Sequence, residues 1–120
     1  MNRISIPVAL IAAALPMAQA AAHAFLDHAA PAVGSTVSAA PRQIQLFFTQ
    51  ELEPAFTGAS LAGADGEPIA TGPAVIDRQN KAALVLRLPP LAPGHYKVSW
   101  HALSVDTHRT EGSFGFDIRP

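Results

Sequence analysis

A chain of 120 residues has room for one domain and buries enough surface to fold without staples, so a bound metal would serve function rather than folding. A formal net charge of -1 with no run of Lys or Arg excludes the clustered basic surface that nucleic acid requires. The absence of Cys removes a disulfide framework, thiolate nucleophiles and Cys-rich zinc sites together.

The first segment reads as an export signal. Asn2 and Arg3 form a short polar, positive start, Ile4 to Leu15 is almost wholly apolar, and Pro16 to Ala22 ends in small residues. The apolar run falls short of the roughly 20 residues needed to span a bilayer, so residues 1–22 are expected to be cleaved. Ala18-Gln19-Ala20 and Ala20-Ala21-Ala22 both satisfy the small-x-small rule, and only the second cut makes His23 the new N-terminus. The expectation is a mature domain over residues 23–120, in the periplasm or an equivalent space, with no membrane insertion.

From there the chain has the pattern of short strands broken by Pro and Gly, with no sustained helical period. Weak strand signals cover Phe25 to His28, Thr57 to Leu61 and Pro68 to Ile76. Stronger ones alternate: Ile44, Leu46 and Phe48 share one apolar face, as do Leu84, Leu86 and Leu88, then Tyr96, Val98 and Trp100, then Phe114, Phe116 and Ile118. Asp65-Gly66 supplies a tight hairpin turn, Pro93-Gly94 a turn before the Trp100 strand, and Pro89-Pro90 a strand end that cannot donate to a ladder. The predicted fold is all-β, a single seven-stranded Greek-key sandwich or barrel of Ig-like or cupredoxin-like type.

Chemistry rests on which of the five histidines can converge with carboxylates. Asp106 and His108 are two apart, and on an extended backbone they point to the same side, so one ion can touch both. The plain alternative is an Asp–His hydrogen bond that ties down a loop. As an N-terminal residue, His23 adds an α-amine and a ring nitrogen that close a chelate on a metal. Reference pKa values of about 7.7–8.0 for the amine and about 6.5 for imidazole let a strongly binding metal displace both protons near neutrality. His23, Asp106 and His108 then make an N/O set suited to tetragonal Cu(II), which also leads the divalent affinity order. Cleavage removes Met1 and Met17, leaving neither Met nor Cys, so a soft-ligand Cu(I) site is not expected.

His23-Ala24-Phe25-Leu26, Ala30-Pro31-Ala32-Val33-Gly34-Ser35, Ala40-Pro41 and Leu46-Phe47-Phe48-Thr49 together resemble the opening of CopC-family copper-binding domains. Gly94 to Trp100, Ser104-Val105-Asp106-Thr107-His108 and Gly112-Ser113-Phe114-Gly115-Phe116 resemble the family's end, so the likeness spans the mature chain. It implies a periplasmic β-barrel in copper resistance or delivery, one Cu(II) per chain on His23, Asp106 and His108, and an inner-membrane CopD-type transport partner. Two features depart from the family. Some members place a Glu after the first long strand, where this chain has Gln50 then Glu51, and some carry a Met-rich Cu(I) loop that it lacks.

His28 stands as a further candidate ligand or support, whereas His95 and His101 fall opposite the Trp100 face, and Trp100 reads as the core anchor. The leading expectation is a non-catalytic Cu(II) carrier or sequestering protein. A small copper oxidase or oxygenase of the histidine-brace type is the second reading, against which a mature length of about 98 residues leaves little room for substrate loops. A metal-free interaction module is the third, and it follows if cleavage leaves Ala21 first.

Overall fold

Alternating burial decides the architecture. Ile44, Leu46 and Phe48 are buried along one strand, Leu84 and Leu86 along another, Tyr96, Val98 and Trp100 along a third, and Phe114, Phe116 and Ile118 along a fourth. Each strand therefore has one face that must be covered, and two such sheets cover each other. Each large apolar side chain so enclosed contributes about 1.5–3 kcal/mol.

A computed structural model describes residues 25–120. The proposed signal segment and His23 lie outside the described residues. Within them the elements are β1 (Leu26–Ala30), β2 (Thr36–Val37), β3 (Gln43–Phe48), a short 3-10 turn (Pro54–Phe56), β4 (Gly58–Gly63), β5 (Pro68–Ile69), β6 (Val75–Asp77), β7 (Asn80–Arg87), β8 (Gly94–Leu103) and β9 (Arg109–Ile118). One sheet has the order β1-β3-β7-β6, the other β2-β9-β8-β4-β5. β3 pairs with β7 and β4 with β8, the pairing between sequence-distant strands that a Greek key requires. Among the described residues no helix is long and apolar enough to cross a membrane.

The sandwich is as expected, and its strands are more finely divided. Nine strands stand among the described residues where the sequence pattern suggests seven. The stretch Pro68 to Ile76 is two strands in two different sheets: β5 closes a hairpin on β4, and β6 joins β7 across the sandwich. Gly72 and Pro73 fall between them, where the chain leaves one sheet for the other, and the Gly72 N–H donates to the Arg87 carbonyl at 3.1 Å. β2 is two residues long, parallel to the end of β9, and has no alternation for a sequence reading to detect. The Asp65-Gly66 hairpin forms as read, with Gly66 at a φ of 84° that glycine adopts without steric cost.

The element that positions the site is the β8–β9 hairpin. Its ladder runs from Gly94↔Ile118 to Leu103↔Arg109, and the Ser104–His108 loop rides on its tip. A backbone bridge between Leu52 and Ser104 ties that tip to the segment that leaves β3, so the loop sits where the ends of the two sheets meet.

Candidate metal centre

Asp106 and His108 come together, and not by the route that an extended backbone would give. Residues 105–107 form a turn, and Thr107 has a φ of 72°, a left-handed conformation unusual for a β-branched residue. The reversal at Thr107 brings His108 back toward Asp106, with Nδ1 3.3 Å from Oδ1. Two donors in adjacent positions, each about 2.0–2.1 Å from one ion, stand about 3 Å apart, so this separation suits shared coordination. Both side chains are partly exposed, as an exchangeable ion requires.

Hydrogen bonds hold the loop in this shape. Ser104 N–H donates to the His108 carbonyl at 3.0 Å, and Thr107 N–H donates to the Ser104 carbonyl at 2.8 Å. The Ser104 hydroxyl donates to Oδ1 of Asp106, and the His108 backbone N–H approaches the same oxygen at 3.4 Å. The Asp106 carboxyl is held below the ordinary aspartate range, first by the Ser104 hydroxyl. Partial burial opposes that shift, and the ring and backbone N–H of His108 add to it. Asp106 is therefore an anion at neutral pH, as a ligand to a hard or borderline cation must be.

The scaffold below the loop is unusual in one respect. Thr57 and Ser104 are the buried polar residues among the described ones, and both serve this end of β8. Thr57 accepts the Leu103 N–H at 3.2 Å, and Ser104 organises the loop itself. Ser104 stands two residues before Asp106 in the Ser-x-Asp-x-His run, a spacing that lets a hydroxyl reach the carboxylate across a turn, and this spacing is the signal the sequence holds for its role.

The N-terminal end of the described chain is tied to the segment that follows β3, which in turn meets this loop. Phe25 N–H donates to Thr49 Oγ1 at 3.0 Å, and Thr49 N–H returns to the Phe25 carbonyl at 2.9 Å. Two residues further on, the Glu51 carbonyl accepts the Val105 N–H at 3.1 Å. Glu51 thus meets the loop through its main chain, while its side chain is exposed. Gln50 lies in the same connecting segment.

The remaining histidines are placed elsewhere. His28 lies outside a bulge in β1, stacked on Phe47 with ring centroids 4.4 Å apart, and its Nδ1 pairs with Asp27 at 2.8 Å. His101 projects from β8 across Gly58. At about 3.4 Å per strand residue, His95 lies roughly 30 Å from Ser104, where it pairs with Asp117. Among the described residues no group of three or more His, Cys, Asp or Glu side chains converges to hold a metal ion.

Fold and site together define a small β-sandwich protein that presents a carboxylate–imidazole donor pair on a hairpin tip. The chain belongs to the CopC family: the family's CopC domain model matches residues 26–119. It is 41% identical over 99 residues to Protein YobA of Escherichia coli, covering 82% of this chain and 80% of that one. It is 37% identical over 125 residues to Copper resistance protein C of Pseudomonas syringae pv. tomato, covering 99% and 98%. The crystal structure of CopC from Methylosinus trichosporium OB3b superposes with a TM-score of 0.77 at 33% identity, over 82% of this chain and 95% of that one.

Proposed function

We propose that the exported chain begins at His23 and carries or sequesters one Cu(II) ion in the periplasm, without catalysis, through the His23 amine and imidazole, Asp106 and His108. The observation that carries this reading is the 3.3 Å approach of Asp106 Oδ1 and His108 Nδ1 at the end of the sandwich where Phe25 is anchored. Residue 23 is two residues upstream of Phe25, a reach of about 7 Å before its own side chain is counted. Among the described residues no third His, Cys, Asp or Glu joins Asp106 and His108 in a metal-holding group, and a terminus that supplies two nitrogens would complete the set.

The donor chemistry favours cupric ion. Imidazole, amine and carboxylate form an N/O set, and Cu(II) heads the affinity order for such ligands. Residues 23–120 contain no Met and no Cys, so nothing in them offers Cu(I) the soft donors it prefers. The family and its copper resistance relative, Copper resistance protein C, support copper over other divalent ions. An inner-membrane CopD-type transport protein is the partner that the family resemblance suggests.

The test is a Cu(II) titration of the exported protein followed by electron paramagnetic resonance. A nitrogen-rich tetragonal spectrum is expected, lost or simplified in His108→Ala, with affinity lowered by at least about tenfold when one Ala precedes His23. Equal affinity with and without the extra Ala refutes the chelate.

A further inference from the structure

Asp106 is exposed on a five-residue turn, and an exposed carboxylate ordinarily samples several rotamers. Ser104, two residues earlier, has no exposed surface at all, and it is tied into the scaffold by the Leu52 bridge and by its N–H bond to the His108 carbonyl. Its hydroxyl reaches Oδ1 of the carboxylate from this buried mount, at closer range than the His108 backbone N–H at 3.4 Å. The hydroxyl has a single proton, which goes to Oδ1 of Asp106, while the His108 carbonyl at 3.3 Å is a second acceptor within reach.

We propose that Ser104 is a positioning residue for the copper site: its hydroxyl locks the Asp106 carboxylate into the ligating rotamer before metal arrives. This rests on the Cu(II) reading above. The physical benefit is preorganisation. A carboxylate already held in place loses no rotamer freedom when the ion binds, and it stays within reach of Nδ1 of His108. Ser104 itself touches no metal and acts wholly through Asp106. Burying a hydroxyl beneath an exposed turn is costly unless it is hydrogen-bonded, and Asp106 supplies that bond.

The experiment uses the exported protein that begins at His23, with Cu(II) affinity read by chelator competition. Ser104→Ala is expected to weaken Cu(II) binding about 10–100-fold. In an Asp106→Asn background the same change should cost less than about threefold, because the group through which Ser104 acts is already altered. Equal losses in the two backgrounds would show a general structural role and overturn the proposal. If the starting protein binds no Cu(II), the underlying reading fails. If it binds and Ser104→Ala binds equally well, this inference alone fails. Should Ser104→Ala not fold, the unaltered metal-free protein decides: three-bond couplings must report a single χ1 rotamer for Asp106, and rotamer averaging there overturns the proposal.

Discussion

Trp100 and Gly112 face each other across the β8–β9 ladder, and the indole lies over the glycine. A Cβ at residue 112 would stand 2.7 Å from Trp100 Cζ2, 3.0 Å from Cε2 and 3.2 Å from Nε1. Carbon atoms in good contact are about 3.5–4.0 Å apart, so Gly112→Ala must displace the ring by close to 1 Å. The ring has little room to yield, because Trp100 is buried edge-on against Phe48 of the facing sheet at 5.1 Å and 74°. Overpacking of this kind costs about 1–3 kcal/mol, against which removing a strand glycine recovers about 0.5–1 kcal/mol of chain entropy. The net expectation is a loss near 1 kcal/mol, a fall in thermal midpoint of about 4–8 °C for a domain of this size. Trp100 is the single Trp of the chain, so its fluorescence and near-ultraviolet dichroism report the displaced ring directly. In a Trp100→Phe background the smaller ring leaves space, and Gly112→Ala should become neutral or slightly stabilising. An equal fall in both backgrounds, or no fall and no spectral change in the first, refutes the packing argument. Gly72→Ala is the control, since its Cβ would meet Arg87 Cβ at an ordinary 3.7 Å.

Two further outcomes concern the loop. Because the Asp106 carboxyl is lowered in the folded state, its contribution to stability is complete above the ordinary aspartate value of about 3.9 and is lost as pH falls through its own lower value. A carboxyl-detected NMR titration of the metal-free protein should place its midpoint below that value and move it upward in Ser104→Ala; a midpoint at or above the ordinary value contradicts the hydrogen-bond account. Thr107→Gly should leave the thermal midpoint unchanged or raise it, since a left-handed non-glycine residue costs about 1–2 kcal/mol and glycine gives back about 0.5–1 in entropy. A clear drop in midpoint would mean that Thr107 is not strained.

The main strands were legible because half-buried strands write a two-residue period into the local sequence. Ile44, Leu46 and Phe48, or Tyr96, Val98 and Trp100, need no knowledge of partners to be read as one face. The two-residue pieces β2 and β5 carry no period, so their existence depends on which edge lies beside them. The division of Pro68 to Ile76 between two sheets was illegible for the same reason: sheet membership is a property of the pairing partner, and β7 and β4 lie elsewhere in the chain.

By itself the sequence determined the all-β class, the core faces, the absence of soft copper ligands from residues 23–120, and the nomination of Asp106 and His108, because each is a property of residue type and short spacing. Tertiary structure alone decided that these two meet through a left-handed turn at Thr107, that Ser104 is buried beneath them, and that the chain at Phe25 is tied to Thr49 at the same end. The burial of Ser104 and the Phe25–Thr49 tie arise from contacts between segments far apart in the chain, and the turn at Thr107, though local, takes a left-handed φ that a β-branched residue does not announce.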